Sequence, residues 1–186
     1  MSNALQETPN YLTAAFYLFV ELPNYVDRRA ALLAFCEAHN VKGSILLASE
    51  GINGTIAGAA KDVQAVLAYL RHDPKFAKLE HKESWANKPP FHRMKVRLKK
   101  EIVTMGVDGI SPTKMAGTYV KPEDWNALIS EPDVVLIDTR NHYEVDIGTF
   151  KGAIDPKIDS FSQLPEWVKN AQSLEERHGK KPRVAM

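Results

Sequence analysis

The sequence predicts two consecutive folds, an α+β domain and then an incomplete α/β domain, and three observations predict them. From Thr13 to Trp85 the apolar residues alternate between period two and the three-and-four spacing of helices, in the order β-α-β-β-α-β. Beyond a stretch broken by Gly106, Gly109, Pro112 and Gly117, the apolar run at 134–137 ends abruptly in Asp138, Thr139 and Arg140, as a strand buried in a parallel sheet does. Arg183 to Met186 then begin like another such strand, so the second fold holds too few elements to close a core and is expected to be a fragment.

Residues 13–21, TAAFYLFVE, supply a first strand ended by Pro23 and Asn24. A helix follows over 27–39, with Leu32, Phe35, Cys36 and His39 on one face, Asp27 placed to cap it and Asn40 to stop it. Residues 41–48 form a second strand. The Asn53-Gly54 pair is the strongest hairpin signal in the chain and leads into a strand at 55–57. Val63, Val66, Leu67 and Leu70 then mark one face of a second helix, and 79–85 make a further strand. This order is that of a ferredoxin-like, or acylphosphatase-like, sandwich: two helices on one antiparallel sheet. The expected limits are 13–100 for this domain, 101–116 for a linker and 117–186 for the second domain, with 1–12 a disordered tail or cloning remnant.

Composition narrows the function classes. With 24 Lys and Arg against 23 Asp and Glu, net charge argues neither for nor against nucleic acid, so only local clustering can. No apolar run is long enough to cross a bilayer, and no signal-peptide pattern precedes Thr13, so a soluble protein of the cytoplasm is expected. The single cysteine, Cys36, cannot form an internal disulfide and sits on an apolar helix face, where it behaves as a small hydrophobe. None of the six histidines has the spacing of a helical metal pair, so no metal site is expected.

One clustering of charge stands out at 93–100, RMKVRLKK. Alternation along a strand puts Arg93, Lys95, Arg97 and Lys99 on one face and Met94, Val96 and Leu98 on the other. Four cations in register suit a nucleic-acid backbone; the competing reading is a solvated strand whose charges keep an edge from aggregating.

In the second domain, Pro122 opens a helix to Ile129, and Asn141 with Glu144 three residues later has the form of a capping box. A long helix is expected over 160–178, with Phe161, Leu164, Trp167, Val168 and Ala171 on one stripe and Gly179 ending it. Asp138, Arg140, Glu144, Gly148, Gly152 and Ala153 together resemble the opening of a rhodanese domain, except that Thr149 stands where the commonest pattern has His. Each polar residue has a plainer alternative: Asp138 bonding loop backbone, Arg140 pairing a carboxylate, Glu144 capping its helix.

Taken with Glu50-Gly51-Ile52-Asn53, the run at 95–103 and Gly117-Thr118-Tyr119, the 138–144 motif is similar to the bacterial tRNA uridine hydroxylase family, whose members join a ferredoxin-like to a rhodanese domain. The resemblance implies hydroxylation at carbon 5 of the wobble uridine of tRNA, with molecular oxygen as co-substrate and no other cofactor evident. It also implies an essential cysteine in a loop after the strand beginning at Arg183, which these residues do not include, so this chain alone is expected to be inactive. In such a site Asp138 orders the loop and Arg140 positions a phosphate or anion. Two other readings stay open: a rhodanese-type sulfurtransferase, and a non-catalytic module holding RNA or a protein. Oligomeric state is not legible.

Overall fold

The computed structural model describes residues 10–107, 117–171, 174 and 181–186, which fall into two compact units dividing after Val103. In the first, β1 (Tyr11–Phe19), α1 (Tyr25–Ala38), β2 (Lys42–Ala48), β3 (Gly51–Gly58), α2 (Ala60–His72) and β4 (His81–Ala86) give the expected order, and β5 (Met94–Leu98) is added. The sheet runs β4-β1-β3-β2-β5, antiparallel throughout except that β5 lies parallel to β2.

Period-two alternation decides which face is buried. Leu12, Ala14 and Phe16 of β1, Ile45 and Leu47 of β2, Ile52 and Ile56 of β3 and Val96 of β5 enter one core with Leu32 and Cys36 of α1 and the Val63, Val66, Leu67 and Leu70 stripe of α2. Burying each such side chain stabilises by roughly 1.5–3 kcal/mol against exposure. Cys36 is fully buried, and burial, then the neighbouring Glu37 carboxylate, push its thiol up to about 12. Neither α1 nor α2 covers the opposite face of the sheet.

Some local expectations are corrected. Asn53-Gly54 is not the hairpin turn: the turn is Ser49-Glu50, flanked by the Ala48–Gly51 pair, and Gly54 lies mid-strand opposite Phe16 and Ile45. A Cβ at Gly54 would come within 2.9 Å of the Phe16 ring, so the glycine serves core packing. Asn24, not Asp27, occupies the position before α1, and Asp27 sits in the first helical turn. β1 starts two residues earlier than expected, at Tyr11.

The second unit holds α3 (Pro122–Ile129), β6 (Val134–Leu136), α4 (His142–Ile147), α5 (Leu164–Asn170) and β7 (Arg183–Ala185). β6 and β7 pair in parallel, and Ile137 bridges to Ile154 on β6's continuation. Arg183 tethers the start of β7 to Asp133 and Glu131, which raise its pKa further. The helix expected over 160–178 is shorter: a 3-10 turn, Phe161–Gln163, precedes α5, whose Val168 is exposed rather than part of the buried stripe. Most of 172–180 lies outside the described residues.

Candidate functional site

Two places carry the residues that the sequence singled out, one in each unit. In the second unit, β6 delivers Asp138 to its carboxyl end, where ligands bind in open α/β sheets. Asp138 is only 9% exposed, and its carboxylate accepts from Arg140 and Thr149. Arg140 donates through its backbone N–H and Nε to Oδ1 (3.2 and 2.9 Å) and through Nη2 to Oδ2 (2.6 Å). Thr149 donates its hydroxyl to Oδ2 at 2.7 Å, and Arg140 Nη2 also reaches the Gly148 carbonyl. Thr149 thus closes the knot from the position where the commonest rhodanese pattern has His.

Hydrogen bonds from Arg140, with Thr149 adding to them, hold the Asp138 carboxyl far below the usual carboxylate range, and Asp138 in turn raises Arg140. A carboxylate this acidic neither takes nor gives a proton near neutrality. The pair therefore orders two loops, 138–140 and 148–149, rather than doing acid–base work. They form one wall of an open cavity of about 570 Å³ that also meets Trp125, Phe150 and Met186. Phe150 packs on Trp125 with ring centroids 5.6 Å apart, and the Trp125 indole N–H is buried without a partner. Glu144 makes no hydrogen bond to this pair, though its charge adds to Asp138's in raising Arg140; with Asn141 it forms a reciprocal capping box on α4, the plainer of its two readings.

In the first unit, Glu50, Gly51 and Asn53 are brought to one end of the sheet. Glu50 Oε1 accepts from the Ile102 backbone N–H at 2.6 Å, and Asn53 Nδ2 donates to the Ile102 carbonyl at 2.9 Å. Both backbone groups of one residue are thereby satisfied, and Ile102 is 2% exposed. Gly51 (φ +143°) allows the approach of β1, since a Cβ there would meet the Leu18 carbonyl at 2.0 Å. The motif is architectural: it folds the chain after β5 back onto the sheet, within the stretch read as linker.

The basic ribbon is β5 with its flanks. Val96 is buried beneath α1, whose Arg29 donates to the Val96 carbonyl at 2.9 Å. Lys95 and Arg97 pair with Ser44 and Leu46 and stand on the face opposite α1 and α2, and Arg93 and Lys99 flank them, exposed. Among the described residues no ion pair engages any of these four cations. Sequence reasoning missed what shares their face. Tyr17, Lys42 and Lys82 stand on it too; alternation within each strand signals this, but only the strand order assembles them. Among the described residues no group of three or more His, Cys, Asp or Glu is arranged to hold a metal.

A βαββαβ sandwich with a fifth, basic strand defines the first unit as an acylphosphatase-like α+β domain, and residues 11–102 match the family described as the UPF0176 acylphosphatase like domain. The chain is 65% identical over 176 residues to a protein of Albidiferax ferrireducens, covering 95% of this chain and 55% of that one. It is 59% identical to one of Acaryochloris marina (95% and 56% covered) and 56% identical to one of Rhizobium etli (100% and 59%). All three are named tRNA uridine(34) hydroxylase, and the chain is similar to them over nearly all of its own length. It spans little more than half the length of these relatives. An acylphosphatase from Coxiella burnetii aligns over 52% of this chain and all of its own at 10% identity, with a TM-score of 0.34, too low to bear on the assignment.

Proposed function

We propose that this chain is part of an enzyme that hydroxylates the wobble uridine of tRNA, at carbon 5 and with molecular oxygen, in the cytoplasm where tRNA resides. The observation that carries the reading is its 54–65% identity, over most of its length, to relatives bearing that activity in their names. In this reading the first unit binds RNA through Arg93, Lys95, Arg97 and Lys99. The second is a rhodanese-like domain whose Asp138–Arg140 loop supports the reacting centre. Cys36 is excluded as its nucleophile: it is fully buried and its thiol is pushed up to about 12, so almost no thiolate is present at neutral pH. In this reading the 186 residues by themselves are expected to be inactive, since Cys36 is their only thiol.

Nucleoside mass spectrometry on tRNA from cells lacking the endogenous activity tests this. A gene of the relatives' length restores 5-hydroxyuridine, and this chain alone does not. Failure of the longer gene despite soluble expression refutes the hydroxylase reading, and success of the short chain refutes the placement of the chemistry.

A further inference from the structure

The face of the first sheet opposite α1 and α2 is laid out by register. Across its middle run Lys82, Ala15, Thr55, Ser44 and Lys95, and the adjacent row is Tyr17, Asn53, Leu46 and Arg97. Lys42 lies on the other side, opposite Ala57. Among the described residues, no Asp or Glu occupies a registered position on this face. The floor of the middle row is small side chains, while Asn53 of the adjacent row donates to the Ile102 carbonyl; Tyr17 rises from the inner strand β1, 56% exposed, with the Phe19 ring edge-on to it at 6.2 Å. The basic margins stand four strand spacings apart, about 19 Å at ~4.8 Å each.

This combination has a specific ligand chemistry. An exposed ring on an inner strand adds nothing to the core, and a floor of Ala, Thr and Ser leaves room for a second planar ring to lie against it. Cations on both margins, uncompensated by carboxylates on the face, suit a polyanion crossing the strands. A duplex buries the flat faces of its bases, whereas an unpaired strand presents them.

We propose that this face is a stacking platform for unpaired RNA bases, with Tyr17 the ring that a base stacks on and Lys42, Lys82, Lys95 and Arg97 holding the flanking phosphates. The inference rests on the tRNA reading and deepens it: the first unit grips a single-stranded loop rather than a helical stem. The Ile102 clasp bounds the platform at its Gly51 end.

Fluorescence anisotropy on the chain tests it with two labelled probes, an RNA hairpin with an unpaired loop and a blunt RNA duplex of equal length. Tyr17→Ala weakens hairpin binding at least about fivefold with little change in salt dependence, and Tyr17→Phe retains most of the affinity. Ala15→Glu, which plants a carboxylate on the exposed floor, weakens binding most at low salt and decides the matter should Tyr17→Ala melt early. Unchanged hairpin affinity in both Tyr17→Ala and Ala15→Glu overturns the platform while leaving intact any tRNA binding by the wild type. Equal wild-type affinity for duplex and hairpin overturns it as well, and loss of all binding, whole tRNA included, takes the RNA reading with it.

Discussion

Glu50 and Asn53 hold the backbone of Ile102 from both sides, and the strength of that clasp is open to direct measurement. Asn53→Ala leaves the Ile102 carbonyl without its side-chain donor, a loss of about 1 kcal/mol. Glu50→Ala removes a charged acceptor and costs about 1.5–3 kcal/mol. For a domain of this size, each kcal/mol lowers the melting temperature by about 4–8 °C. Both variants act on the same residue, so their effects are coupled: once the clasp opens, Ile102 leaves its buried site and the second substitution has little left to remove. Thermal unfolding of the two single variants and the double variant, read beside hydrogen exchange at the Ile102 amide, follows both consequences. We expect the double variant to lose less than the sum and the Ile102 amide to exchange much faster in all three. Stability within about 0.5 kcal/mol of wild type for both single variants, the range of an ordinary surface change, would refute an architectural role for the motif.

Asp138→Asn removes the charge that Arg140 and Thr149 organise and destabilises the second unit by about 1–3 kcal/mol, discounted because Arg140 is half exposed. Because folding depresses the Asp138 pKa, its contribution is complete above the unfolded value of about 4 and is lost as pH falls towards the lower folded value. Unfolding curves between these limits should show an acid-side loss in wild type that is smaller in Asp138→Asn; identical pH dependence would contradict it. Gly54→Ala pushes a methyl group against the buried Phe16 ring and costs about 1–3 kcal/mol by denaturant unfolding, so a neutral result would mean that the sheet can relax there. Cys36 should react with a thiol reagent at mild pH only as fast as the protein opens, whereas rapid stoichiometric labelling of the folded chain would show that the thiol is accessible.

The ferredoxin-like unit was legible in the sequence because its core obeys local periods: Leu12, Ala14 and Phe16 alternate, and Val63, Val66, Leu67 and Leu70 repeat at helical spacing. Asn53-Gly54 misled because a hairpin signal is local, while its glycine answers to Phe16 and Ile45, which reach it only through non-local pairing. The same limit hid the Ile102 clasp, which joins positions about fifty residues apart. In the second unit, Asp138, Arg140 and the Glu144 cap could be read from one short stretch. Thr149 was visible only as a departure from a pattern, and its hydrogen bond to Asp138 required the loop to close. Lys95 and Arg97 were legible by alternation; Tyr17, Lys42 and Lys82 join them only once the strand order β4-β1-β3-β2-β5 is known.

The most direct test of RNA recognition by the first unit is the salt dependence of tRNA affinity for the wild-type chain and for a variant with Arg93, Lys95, Arg97 and Lys99 replaced by Gln. We expect wild-type affinity to fall steeply with salt and the variant to bind more weakly. Its log–log slope should be shallower by about 3, at roughly 0.7–0.9 for each phosphate that is no longer neutralised. Equal affinity and an equal slope in the two proteins would contradict a role for the ribbon in binding RNA.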